Sequence, residues 1–160
     1  MIDMMDTAAN KELILSDMTE KGTAMLGERI GRALFKGAFI ALYGGLGAGK
    51  TTLTRSVAAA LGISGIISPT FTIVREYRGR LPLFHFDAYR LGSADELYDI
   101  GFDDYVGQNG VIMMEWCENV KDALPDKRLE IHISGSGAEP RRIRIAAYGA
   151  EYERLLEAIA

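Results

Sequence analysis

Two hydrophobic periods alternate along this chain. From Thr19 to Phe35, the residues Met25, Leu26, Ile30 and Leu34 recur at helical spacing, which predicts an amphipathic helix with Thr19 as its N-cap. Ala38–Tyr43 (AFIALY) is a short continuous apolar run, the pattern of a strand buried on both faces. Leu53, Val57 and Leu61 return to helical spacing over Thr52–Leu61, and Gly62 stops that helix. Phe71–Tyr77 (FTIVREY) and Leu81–Phe86 (LPLFHF) flank a turn at Gly79 and predict a hairpin. Ser93, with Glu96 three residues on, predicts a short capped helix over Ser93–Asp99. Glu12–Ser16 and Val111–Met114 read as strands. Leu129–Ile133 and Arg142–Ala146 alternate like antiparallel strands, and Ala150–Ala160 closes the chain as a helix.

Between the first apolar run and the helix after it lies Gly44–Thr51, G-G-L-G-A-G-K-T. It fits G-x-x-x-x-G-K-[ST], a phosphate-binding loop. The chemistry needs these residue types. Glycines let the backbone wrap tightly, so that successive N–H groups point into one concavity and hold phosphate oxygens. A lysine, Lys50, puts a cation against the outer phosphates, and the Thr51 hydroxyl can ligate Mg²⁺. The helix that starts here aims the positive end of its dipole at the same anion. Strand, glycine loop and helix in series are the context this motif requires. The predicted fold is therefore α/β and P-loop NTPase-like. It has three layers, a mostly parallel central sheet with added antiparallel strands, and helices on both faces.

Such a loop needs an acidic residue at the end of a neighbouring strand, and two candidates exist. Leu83–Phe86 runs into Asp87, and Val111–Met114 runs into Glu115. Carboxyl ends of parallel strands line the ligand crevice, so both acids are candidates. Ser68-Pro69-Thr70-Phe71-Thr72 lies between the loop and these acids. Its hydroxyls are within reach of a phosphate in a mobile switch segment, although a plain loop leading into a strand is the simpler reading.

Composition narrows the setting. The 160 residues predict one domain, 1–160, with residues 1–10 poorly ordered. No apolar stretch approaches the roughly 20 residues that span a bilayer. Met1–Lys11 lacks the pattern of a signal peptide, and the lone Cys117 suits a reducing cytoplasm. A net charge of −4 lacks the basic footprint of a protein that holds nucleic acid alone. Several residues have plain readings. His85 and His132 read as satisfied core histidines, Cys117 as an inert thiol, and Met113 and Met114 as sheet core. Arg141, Arg142 and Arg144 read as a solvated strand face, and Arg90 either approaches phosphate or pairs with an acid.

GLGAGKTT (Gly45–Thr52), SPTFTIVREY (Ser68–Tyr77), LFHFDAYRL (Leu83–Leu91) and MEW (Met114–Trp116), in this order and spacing, resemble the TsaE (YjeE) family. The similarity runs from about Thr19 through Leu129. This is a family of small bacterial P-loop ATPases in the machinery that makes threonylcarbamoyladenosine beside the tRNA anticodon. The resemblance implies ATP as substrate with Mg²⁺, and TsaD and TsaB as partners. It implies tRNA contact through that complex, a cytoplasmic setting and no part in the transfer itself. It implies that Gly45, Leu46, Gly47, Ala48, Gly49, Lys50, Thr51, Thr52 and Trp116 bind nucleotide. Thr51 and Glu115 would hold the metal, and Lys50, Thr70, Asp87 and Glu115 would act in catalysis. Many members carry Asp where this chain has Gly45. A small-molecule kinase is the competing reading, from Asp87-Ala-Tyr-Arg90. The acidic stretch Gly92–Gly110 and the lack of an arginine-rich lid argue against it. A nucleotide sensor without hydrolysis is the third.

Overall fold

Lys11–Met18 (β1), Phe39–Tyr43 (β2), Val74–Tyr77 (β3), Leu83–Asp87 (β4), Val111–Glu115 (β5), Arg128–Ser134 (β6) and Arg141–Tyr148 (β7) form one sheet. Their order across it is β1-β7-β6-β2-β5-β4-β3. The structure, a computed structural model, describes residues 9–45 and 47–160. Residues 1–8, where most of the expected terminal disorder falls, and Leu46 lie outside the described residues. Asn10 is held, its N–H donating to the Ala147 carbonyl at 2.8 Å.

The four central strands β6, β2, β5 and β4 pair in parallel. β3 is antiparallel at one edge, and β7 and β1 at the other. A mostly parallel sheet is thus a correct description of the centre, while half of the pairings are antiparallel. The parallel centre arises because β2 and β5 are continuous apolar runs that bury both faces. β3 and β4 form the expected hairpin.

Side chains alternate between two cores. Ile40, Leu42, Leu83, Met113 and Ile131 face Glu20–Ala33 (α1), Lys50–Ala60 (α2) and Ala150–Ile159 (α5). Phe39, Ala41, Phe84, Phe86, Ile112 and Met114 face Ala94–Asp99 (α3), Phe102–Gly107 (α4) and a kinked 3₁₀ segment, Cys117–Ala123. Fully burying one such side chain is worth about 1.5–3 kcal/mol. α4 and the 3₁₀ segment were not predicted, because each is short and acid-rich with no sustained apolar period.

α1 begins where the sequence placed it, with the Thr19 hydroxyl accepting from the Gly22 N–H at 3.0 Å. Met25 of the expected stripe is instead 52% exposed. Glycine takes over the contact with α2. A Cβ at Gly31 would lie 2.6 Å from both the Ala60 Cβ and the Val57 carbonyl, so the helix backbones meet more closely than any side chain would allow. This contact seats α2, and with it the glycine loop, against the sheet. Among the described residues no helix is long and apolar enough to cross a membrane.

Candidate functional site

The carboxyl ends of β2, β4 and β5 open on one cleft of about 870 Å³. The glycine loop forms its floor. Gly49 precedes α2 with φ +114°, a conformation that an L side chain rarely adopts. This bend brings Lys50, the first residue of α2, into the cleft. Position 45 is different. A Cβ there would meet nothing within 4 Å, so the space around position 45 does not require glycine.

Lys50 is buried, with 8% exposure, and its cation has two neighbours. Its Nζ lies 3.5 Å from Glu115 Oε1 and 4.9 Å from the centre of the Trp116 ring. The second oxygen of Glu115 accepts from His85 Nε2 at 2.9 Å. Burial alone pushes the Glu115 carboxyl up. The His85 hydrogen bond and charge, together with the Lys50 ammonium, outweigh it and hold the group below the usual carboxylate value. His85 was expected to be a satisfied core histidine, and it is half so. It is buried, but Nδ1 is the one buried side-chain polar atom without a partner among the described residues. The apolar run around it gave no sign that its other nitrogen supports a cleft carboxylate.

Asp87 and Glu115 are direct partners in the β4–β5 register, so the two candidate acids stand side by side. Asp87 Oδ2 accepts from the Thr70 hydroxyl at 3.0 Å, and Oδ1 accepts from the Tyr89 N–H at 2.9 Å. Thr70 also touches the Ser68 hydroxyl at 2.7 Å. The Ser68–Thr70 loop is therefore tied to the acid rather than passing it by. Thr51 and Thr52 line the cleft beside Gly45, Gly47, Ala48 and Gly49. Leu46 lies outside the described residues. Trp116 is half-buried in the left-handed region, φ +60°, with Tyr89 packed edge-on at 4.9 Å.

Other candidates separate from the site. Among the described residues Arg90 neither lines the cleft nor pairs with an acid; its guanidinium covers the exposed Phe71 ring at 4.7 Å. Cys117 is buried, and burial pushes its thiol well up, which suits an inert residue. His132 is not a core histidine. It is partly exposed, stacks on Tyr43 at 4.4 Å and bonds to Glu130 at 2.9 Å. The arginines of β7 are not a uniform solvated face. Arg144 pairs with Glu12, whereas Arg141 reaches the glycine loop, donating to the carbonyls of Gly47 and Ala48 at 2.9 and 3.0 Å. No local signal could have found this contact, because 93 positions separate Arg141 from Ala48.

Among the described residues no three or more His, Cys, Asp or Glu side chains cluster as a metal cage. Beside the glycine loop, the candidate oxygen donors are the Thr51 hydroxyl and the Asp87 and Glu115 carboxylates. That set suits Mg²⁺, which takes one or two protein ligands and fills its octahedron with phosphate and water. Chemically, the cleft combines a helix start, whose free N–H groups favour an anion, with the buried Lys50 cation and adjacent carboxylates.

The family model for threonylcarbamoyl adenosine biosynthesis protein TsaE matches residues 18–143. The match extends past Leu129 and takes in Arg141. The chain is 45% identical over 126 residues to the tRNA threonylcarbamoyladenosine biosynthesis protein TsaE of Bacillus subtilis (strain 168), covering 78% of both chains. It is 41% identical over 125 residues to the protein of the same name from Treponema pallidum (strain Nichols), covering 78% of this chain and 93% of that one. The crystal structure of Bacillus subtilis YdiB superposes with a TM-score of 0.81 at 36% identity, covering 93% of this chain and 94% of that one.

Proposed function

This chain belongs to the TsaE family, and from that premise we propose that it binds and hydrolyses ATP for the threonylcarbamoyladenosine modification of tRNA. It would do so in the cytoplasm beside TsaD and TsaB, reach tRNA through them, and leave the transfer itself to them. The fold assignment that goes with this reading is the P-loop NTPase type. One observation carries the proposal. A glycine loop, its lysine and two strand-end carboxylates from three separate elements converge on a single cleft.

The geometry supports a role for each residue in this reading. Backbone N–H groups of Gly45, Gly47, Ala48 and Gly49 and the start of α2 hold the phosphates. Lys50 offers its cation to the outer phosphates, a charge-assisted contact worth about 1.5–3 kcal/mol. Thr51 and Glu115 would hold Mg²⁺, which, when bound, neutralises charge building on the transferred phosphoryl group. Glu115 either holds that ion through water or orients the attacking water. Asp87 holds the Ser68–Thr70 loop through Thr70, so that loop can report on the phosphate end of the cleft. Trp116 and Lys50 pack together, which links the indole to nucleotide occupancy.

Single-turnover hydrolysis tests the proposal. The isolated chain should hydrolyse MgATP slowly, because an arginine supplied from outside is worth roughly 10³–10⁵-fold in related enzymes. Lys50→Ala should bind and hydrolyse far less. ATP binding without any hydrolysis would leave a nucleotide sensor. Phosphate transfer to a nucleoside would make the chain a kinase.

A further inference from the structure

Among the described residues, the glycine loop is held from outside by one side chain that belongs to no nucleotide-binding motif. Arg141 opens β7, in register with Met18 of β1, and both residues line the cleft. Its guanidinium makes hydrogen bonds to four backbone carbonyls. Nη2 donates to Gly47 at 2.9 Å and to Gly137 at 3.1 Å, Nε donates to Ala48 at 3.0 Å, and Nη1 donates to Glu139. Gly137 and Glu139 lie in the turn between β6 and β7. That turn is closed on itself, with the Ser136 N–H donating to Glu139 Oε1 at 2.9 Å and the Glu139 N–H donating to the Ser136 carbonyl at 3.3 Å. The arginine therefore joins a self-braced turn to the loop. Its partners among the described residues are carbonyls, with no carboxylate at ion-pair distance.

We infer that Arg141 is a positioning residue that sets the orientation of the phosphate-binding backbone. In a trans peptide the C=O of one residue and the N–H of the next point in opposite directions. Fixing the Ala48 carbonyl on Arg141 therefore turns the Gly49 N–H away from Arg141. A loop of glycines has no side chains to hold such an orientation, and glycine carries the largest backbone entropy to lose on ordering. The planar fork supplies what the loop lacks. Its fixed donor directions engage adjacent carbonyls at once, which the single point charge of a lysine cannot do. The loop is thereby ordered before any phosphate arrives, and preorganisation raises affinity. This inference rests on the proposed nucleotide site.

The test is the affinity of the full chain for MgADP, measured by calorimetry, in the wild type and in Arg141→Gln, Arg141→Lys, Arg142→Gln and Lys50→Ala. Arg141→Gln should bind about tenfold more weakly, as expected for losing a charge-assisted contact. Arg141→Lys should recover only a minor part of that loss. Arg142→Gln, on the exposed side of the same strand, should bind as the wild type does. In hydrolysis of MgATP, the loss in Arg141→Lys should fall more on the concentration for half-maximal rate than on the maximal rate, and a loss confined to the maximal rate would overturn the role in ordering the loop for binding. If Arg141→Gln does not fold by circular dichroism, Arg141→Lys decides. Wild-type affinity in Arg141→Lys would mean that charge alone matters and would overturn the positioning role. Wild-type affinity in Arg141→Gln, with binding lost in Lys50→Ala, would overturn it too. Unchanged affinity in Lys50→Ala would instead remove the nucleotide site on which the inference rests.

Discussion

The described residues build the same trio twice, a glutamate between a histidine and a cation. Glu115 sits between His85 and Lys50. Glu130 sits between His132 and Arg128, with Arg128 Nη2 at 2.7 Å. In both, burial pushes the carboxyl up, and the histidine hydrogen bond with the neighbouring cation brings it below the usual value. Both carboxyls are shifted in the same direction by the same kinds of partner. They differ in where the partners come from. Arg128, Glu130 and His132 occupy alternate positions of one strand, and Arg128 is further engaged by the Pro125 carbonyl and by the Tyr148 ring at 4.4 Å. Lys50, His85 and Glu115 come from a helix start and two strands, and Lys50 and Glu115 face the cleft. A perturbed carboxylate therefore marks function only when distant segments converge to build it beside open space.

Deleting the two acids should separate the trios most sharply. Glu115→Ala should lower hydrolysis roughly 10²–10³-fold, the usual cost of removing a group that acts on developing charge, while MgATP binding falls modestly. Glu130→Ala should hydrolyse normally. It should lower the free energy of unfolding by about 1–3 kcal/mol, because Arg128 and His132 lose their acceptor. Single-turnover assays and urea unfolding of both variants check this. Normal hydrolysis in Glu115→Ala with an inactive Asp87→Ala would make Asp87 the principal carboxylate.

The acid response should unite what function divides. Both carboxyls are held below their ordinary 4.5 in the fold. Their stabilisation is complete above that value and is lost as pH falls through the lower folded-state values. Either alanine variant should therefore lose less stability than the wild type on acidification, in thermal unfolding followed from neutral pH downwards. If Glu130→Ala kept the full acid drop, the second trio would not be the ion-paired brace described here.

Much of the cleft was legible because its signals are local. The glycine loop lies between a run buried on both faces and a helix of regular spacing, and Asp87 and Glu115 each end an apolar run. The rest depends on approach across the chain. That Lys50 would touch Glu115, or Arg141 the carbonyl of Ala48, follows from strand order, and β6 joins the sheet beside β2, with β7 outside it, only after the chain has built β3, β4 and β5. Spacing within one segment carries no information on that order. The reading of Arg141 as a solvated residue failed for this reason, as did that of His132, whose partner Glu130 carries no apolar signal. α4 and the 3₁₀ segment escaped because six or seven residues hold too few apolar positions to set a period.

The central claim is that the Lys50–Glu115 trio, and not its twin, is a nucleotide site. Trp116 is the only tryptophan and lies 4.9 Å from the Lys50 cation, so it reports from within. The decisive measurement is its fluorescence during titration with MgATP and MgADP, in the wild type, Lys50→Ala and Arg128→Ala. A saturable change in the wild type and Arg128→Ala, absent in Lys50→Ala over the same range, is the predicted result. An unchanged signal in the wild type at nucleotide concentrations that saturate calorimetric binding, or an equal response in Lys50→Ala, would contradict it.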